Sequence, residues 1–264
     1  TVNACGLTNN VNGNILGQDP KLGPLQNNGG LTKTHALLAN SPAINTGTNS
    51  GCPATDQTGK TRPQGSACDI GSFEKGISTL TLYSAGANDG YVLETGENSS
   101  AGGLVNRLAT AFYIGDDAAN RQYKAILHFN TAPLPDNAII LKATLKLPKQ
   151  AQGGTNPFTI LGSLKADMQK PAFGAAGLAP SDFQAPAGKT RIATFGTTPV
   201  NNWYSANLSI LGRNYINRTG TTQFRLYFTT DDNNDNGADL IKFFSGNYAT
   251  ANMRPTLIIE YYVP

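Results

Sequence analysis

Leu141-Lys142-Ala143-Thr144-Leu145-Lys146-Leu147 alternates apolar and polar side chains without a break. Period two is the spacing of a strand with one face buried and one wet. The same alternation recurs in Phe224-Arg225-Leu226-Tyr227-Phe228, where the even positions are apolar. It recurs again where Tyr123, Ala125, Leu127 and Phe129 share one face. Working outward, further strand-like runs lie at 78–83, 89–94, 109–114, 158–168, 191–195, 203–211, 239–244 and 255–262. Pro133 and Pro135, Gly153-Gly154 and Asn201-Asn202 punctuate them. No long amphipathic helix interrupts; 176–187 reads as a loop or a single helical turn. Many short strands over 77–264 predict an antiparallel β-sandwich of jelly-roll type.

Residues 1–76 read differently. Val11-Asn12-Gly13-Asn14-Ile15-Leu16-Gly17, Asp19-Pro20, Asn27-Asn28-Gly29-Gly30 and Asn45-Thr46-Gly47 bend the chain every few residues. Short strands with corners at that spacing predict a parallel β-solenoid, with room for about three coils of roughly 20–25 residues. Thr34-His35-Ala36-Leu37-Leu38 fits one short helical turn. The whole chain is therefore expected to be all-β and in two domains, 1–76 and 77–264.

Composition narrows the function. Charged residues are 14% of 264, against a typical ~25%, with Asn and Thr in their place. A net charge of +3 without a basic stripe argues against nucleic acid as a partner. No apolar run is long enough to span a membrane. The chain opens at Thr1 without Met, which suggests a processed piece of a longer precursor. Two His and one Trp leave little of the usual catalytic vocabulary.

Cys52 and Cys68 flank a short loop rich in Gly, Pro and Thr. A disulfide fits it better than the alternatives, two buried thiols or two metal ligands. Cys5 is the odd one, either an inward-facing core thiol or the partner of a Cys further upstream. The pair and the uncharged surface together suggest an extracellular, secreted or cell-surface setting.

Two resemblances follow. Gly17-Gln18-Asp19-Pro20-Lys21-Leu22-Gly23-Pro24-Leu25, Asn28-Gly29-Gly30, Thr34-His35-Ala36-Leu37, Ser41-Pro42-Ala43-Ile44, Asp56-Gln57-Thr58-Gly59, Arg62-Pro63 and Cys68-Asp69-Ile70-Gly71-Ser72-Phe73-Glu74 resemble the end of a bacterial choice-of-anchor Q surface protein. Asn45 stands where that family usually shows Asp. The resemblance implies the terminal cap of a right-handed parallel β-helix. Asp89-Gly90-Tyr91-Val92-Leu93-Glu94, Ile114-Gly115-Asp116-Asp117, Arg121 to Phe129, Asn202-Trp203-Tyr204, Phe243 to Asn247 and Arg254 to Tyr262 resemble a DNRLRE domain. That resemblance implies a module like the carbohydrate-binding β-sandwiches of secreted and surface proteins.

Candidate chemistry is sparse. Asp231 to Asp239 packs hard oxygen donors as Ca²⁺ requires. Asp232, Asn234 and Asn236 followed by Gly237 imitate the start of an EF-hand loop, but Phe243 occupies the twelfth position. Asp232, Asn234, Asp235 and Asp239, with Asp116 and Asp117, are the candidate ligands for a structural Ca²⁺; a solvated turn is the plainer alternative. Asp89 with Glu94 is a further acid pair. Arg121 is the simple counter-charge for Asp116 or Asp117. For a polysaccharide, Trp203, Tyr204 and Tyr227 are the candidate stacking rings, although Trp203 also suits a core. His35 and His128 read as structural groups rather than catalytic ones.

The expectation is a non-catalytic extracellular structural or adhesive protein, a homo-oligomer or polymer that self-associates into filaments or a surface layer. The exposed end of a three-coil solenoid and the sandwich faces supply the contacts. The second expectation is a carbohydrate-binding module.

Overall fold

The computed structural model describes residues 5–263 and is all-β. The chain forms two compact units. One holds the chain up to Ser78, Asn137–Ile139 and the last residues from Tyr261; the other holds Thr79–Asp136 and Ile140–Glu260.

In the first unit, β1 (Leu22–Gln26) and β2 (Thr34–Leu37) form an antiparallel hairpin, with Leu25 opposite His35 and Gln26 opposite Thr34. Two expectations are corrected here. Residues 34–37 are a strand, not a helical turn. No parallel coil is present among the described residues, because the chain folds back on itself. Gly29 and Gly30 take positive φ (99° and 79°) in the connection, and Asn28 Nδ2 ties it to the Thr34 carbonyl at 2.7 Å. A chain that reverses within seven residues pairs locally instead of completing a coil.

The apolar cluster here is small: Leu37, Ala43 and Phe73, flanked by Ala36 and Ile44. Polar ties compensate. Glu74 is fully buried and accepts from Arg62 Nε (2.9 Å), Gln64 N (2.8 Å) and Asp69 N (2.9 Å). Asp69 accepts from Asn45 N and Lys75 N, and Asp56 from Glu74 N, Thr58 N and Lys60 N. Burial pushes the Asp69 carboxyl up and the Glu74 charge adds to the rise, although these amides oppose it. Cys52 and Cys68 form a disulfide with Cα atoms 6.6 Å apart. Closing 16 residues removes about 3 kcal/mol of unfolded-state entropy. Cys5 lies at the surface, not in a core.

The second unit is built on β3 (Ser78–Tyr83), β4 (Gly90–Glu94), β5 (Gly102–Asn106), β6 (Ala111–Asp116), β7 (Gln122–Asn130), β8 (Ile139–Gly153), β9 (Leu164–Gln169), β10 (Lys189–Thr194), β11 (Trp203–Asn207), β12 (Thr221–Phe228), β13 (Leu240–Phe244) and β14 (Thr256–Tyr262). They make one curled, sandwich-like antiparallel sheet in the order β10-β9-β12-β7-β6-β13-β8-β14-β3, with β4 on β7, β5 on β4 and β11 on β8. Two short helices, α1 (Pro157–Ile160) and α2 (Ile210–Tyr215), lie between strands; Asn156 and Ser209 cap them. They occupy part of what reads as strand at 158–168 and 203–211.

The apolar positions of the alternation seen in the sequence are buried. Ala125, Leu127 and Phe129 are fully enclosed, as are Phe224, Leu226 and Phe228, and Ala143, Leu145 and Leu147. Phe224 pairs with Leu127 and Leu226 with Ala125, so the apolar sets fall on one face. Rings carry that core between strands: Phe228–Phe158 5.1 Å, Phe158–Tyr204 5.2 Å, Tyr204–Phe243 5.8 Å, Phe243–Phe112 5.3 Å.

The opposite face of β7, β12 and β9 is also covered. Phe173, Leu178 and Phe183, from the segment joining β9 to β10, pack on Val92 and Ile126. Arg225 fastens that segment. Its Nη1 donates to the carbonyls of Asp182 (3.1 Å), Phe183 (3.3 Å) and Ala185 (2.7 Å), and its Nη2 to Asp167 Oδ2 (2.8 Å). Gln223 Oε1 accepts from Phe173 N at 2.8 Å. Lys124 lies 3.8 Å above the Phe183 ring; burial and the adjacent Arg225 lower its amine to about 8.

Arg225→Leu removes four donated hydrogen bonds and leaves Asp167 without its cation. We expect a loss of about 3–5 kcal/mol in denaturant unfolding, with faster amide exchange concentrated in 170–187. Unchanged exchange there would show that the apolar contacts alone hold the segment.

Candidate functional site

The acid-rich loop between β12 and β13 folds on its own side chains. Asp232 Oδ1 accepts from Asn234 N (2.9 Å), Asn233 Oδ1 from Asp235 N (3.3 Å), and Asp235 Oδ1 from Gly237 N (2.6 Å). These two-residue closures are the reason Asp and Asn favour turns. Asn234 and Asn236 take positive φ (58° and 57°), which Asn tolerates.

The loop ends against β6. Asp116 N donates to the Asp239 carbonyl (3.1 Å), and Asp239 N donates to Asp116 Oδ1 (3.1 Å). Two acids 123 residues apart in sequence are thus brought side by side. Asp239 Oδ1 accepts from Thr155 N, and its Oδ2 from Asn233 Nδ2 at 3.1 Å. The same Asn233 nitrogen reaches Asp235 Oδ2 at 2.9 Å. Asp116 is 0% exposed and its Oδ2 has no hydrogen-bond partner. Burial raises its carboxyl to about 6, and the Asp239 charge contributes to the rise.

The other candidate ligands separate. Asp117 belongs to Arg121, which grips its Oδ2 through Nε (2.9 Å) and Nη2 (2.6 Å). Burial raises the Asp117 carboxyl, but Arg121 and two backbone amides outweigh it and hold the group below its usual range. Asn234 and Asp235 face solvent, and Asp232 is buried. Among the described residues no three His, Cys, Asp or Glu side chains converge on a metal position.

The candidate stacking rings also part company. Trp203 is half-buried on β11, with Lys146 Nζ 4.9 Å from its ring. Tyr204, one residue on, is 2% exposed and packed against Phe158 and Phe243, so it is a core side chain rather than a platform. Tyr227 is held by its hydroxyl, which donates to Asp167 Oδ1 at 3.0 Å. A tyrosine cluster the sequence did not single out joins Tyr91, Tyr113 and Tyr123, with centroids 5.0–5.5 Å apart. Burial pushes the Tyr123 hydroxyl up to about 12. Only strand pairing reveals this cluster: Tyr123 lies opposite both Leu93 and Gly115.

Each histidine has a ring nitrogen tied to a neighbouring group. His35 Nδ1 meets the Gly23 carbonyl at 2.7 Å, and His128 Nδ1 meets Gln223 Nε2 at 3.1 Å. Burial lowers the His128 imidazole. In the first unit, Leu22, Leu25, His35, Leu37, Ile70 and Phe73 line an open groove of about 440 Å³. No family model matches the chain, and no curated protein sequence matches it.

Asp89 provides a pH test. Its Oδ1 accepts from His128 N at 2.6 Å, and full burial raises the group to about 7 despite the Ser84 hydroxyl and the Gly246 amide. A carboxyl raised in the folded state favours folding below its unfolded value of 3.8 and loses that contribution as pH climbs through about 7. Wild-type stability should therefore fall over that window, and Asp89→Asn should flatten the fall. Equal slopes for the two proteins in denaturant titrations would refute it.

Proposed function

We propose that this chain is a non-catalytic, extracellular structural or adhesive module that associates with further copies of itself. The observation that carries the reading is the open hairpin of the first unit. Among the described residues β1 and β2 pair only with each other, so each keeps one edge without a strand partner. Beside them Leu22 and Leu25 are exposed at 46% and 56%, and Leu31, Leu38 and Ile70 are exposed as well. A second copy can add a strand to such an edge while covering the leucines. Where the two contacting patches differ, the association does not close and a polymer grows. The low charge adds little repulsion between copies.

Other features support a structural role. Most of the acidic side chains already accept from backbone amides, which leaves no pair poised for acid–base work. The disulfide fits an oxidising compartment. We read residues 14–74 as related to the ends of choice-of-anchor Q surface proteins, and 78–264 as a DNRLRE-type jelly roll. A second reading, carbohydrate binding, rests on Trp203 with Lys146 beside its ring.

Sedimentation and negative-stain microscopy test the first reading. The wild type should form oligomers that lengthen with concentration, and Leu25→Glu should remain monomeric with an unchanged melting curve. A wild type that stays monomeric at every concentration would overturn self-association. Saturable binding on a glycan array, lost in Trp203→Ala, would favour the second reading instead.

A further inference from the structure

Asp116 and Asp239 pose a problem that the surrounding protein does not solve. Both are buried, and they face each other through reciprocal backbone contacts. Asp239 has both oxygens occupied, by Thr155 N and by Asn233 Nδ2. Asp116 has one oxygen on Asp239 N and the other, Oδ2, on nothing. The Asn233 backbone faces the same carboxyl without closing a hydrogen bond on that oxygen. None of the ion pairs among the described residues includes either acid; the nearest arginine in sequence, Arg121, is committed to Asp117. A buried carboxylate left without donor or cation is costly.

The neighbourhood is rich in hard oxygen. Gly154, at φ +61°, lies so close to the loop that a Cβ there would meet Asp239 Oδ1 at 2.2 Å and the Ala238 carbonyl oxygen at 2.3 Å. Only glycine lets the strand end approach these two oxygens. The Asn233 amide nitrogen sits between the carboxylates of Asp235 and Asp239, at 2.9 and 3.1 Å. A partial positive charge there does weakly what a cation would do fully.

We propose that Asp116 and Asp239 form a Ca²⁺ site that fastens the β12–β13 loop to the end of β6. Calcium suits it because it accepts six to eight oxygens in irregular geometry, completing its shell with carbonyls and water. Mg²⁺ demands a tighter octahedron that this loop does not prepare. With only two carboxylates committed, the affinity belongs with extracellular modules, at about 10⁻⁴–10⁻³ M.

The test is calcium titration of the full chain after EDTA treatment, followed by thermal melting and by calorimetry with CaCl₂ and MgCl₂. The wild type should melt higher with the logarithm of calcium concentration and give one binding isotherm, with a weaker response to magnesium. Asp116→Asn, which keeps shape and removes charge, should fold and lose the calcium response. Asp136→Asn, an exposed acid elsewhere in the same unit, should retain it. No heat and no melting shift in the wild type would overturn the proposal. So would an Asp116→Asn protein that binds calcium as the wild type does, since the ion would then sit elsewhere.

Discussion

Every peptide N–H withdrawn from water needs an acceptor, and strands or helices normally supply it. Much of this chain is neither. Its buried carboxylates take over that task. In the first unit Asp56 receives the amides of Thr58, Lys60 and Glu74, Asp69 those of Asn45 and Lys75, and Glu74 those of Gln64 and Asp69. In the second, Asp89 receives His128 N, Glu94 receives Ser100 N and Gln122 N, Asp167 receives Arg191 N, and Asp182 receives Ala179 N. Asp69 and Glu94 each join two separate stretches of backbone in this way. Removing one would strand donors as well as delete a charge, which is why the acids behave as part of the frame.

Two arginines complete the device. Arg62 bonds the Glu74 carboxylate and the Asp69 carbonyl; Arg225 bonds the Asp167 carboxylate and three carbonyls of the segment it holds down. The planar guanidinium can serve several acceptors in one plane, which a lysine cannot. Each arginine therefore organises a stretch of loop that hydrophobic contact alone would leave loosely placed. Ten of the acids are buried, whereas nearly all lysines and arginines reach the surface, among amides, hydroxyls and scattered leucines.

This division explains what could be read from the sequence. Where burial follows period two, as at 142–147, the text reports the structure directly, because one variable decides both; at 224–228 the apolar positions are buried as read, but Arg225 between them is buried too. At β5 the run Gly102-Gly103-Leu104-Val105-Asn106 carries no such signal, and its strand exists because β4 offers an edge. At 34–37 a short run reads as a helical turn, and pairing with β1 makes it a strand instead. Tyr204 and Trp203 look alike in sequence, yet adjacent strand residues face opposite ways and only one enters the core. The pairing of Asp116 with Asp239 depends on β6 meeting β13, a long-range fact that no local pattern encodes.

Three acids of the second unit, Asp89, Asp116 and Asp182, are wholly buried, and each keeps one carboxylate oxygen without a hydrogen-bond partner, so it is what stands beside the group that marks a site. Asp89 is enclosed completely, but donors face its carboxyl from His128, Ser84 and Gly246, and no second anion stands beside it. Such a group can rest as a neutral acid, its proton completing the set. Asp116 is equally hidden from solvent, but a second acid is tied to it: the Asp239 amide meets its Oδ1, and the Asp239 charge adds to the rise of its carboxyl. A divalent cation relieves both carboxylates together and ties the loop to the strand in doing so. The contrast lies in the partners, and it gives the acid-rich loop a role that its composition alone left equivalent to a solvated turn.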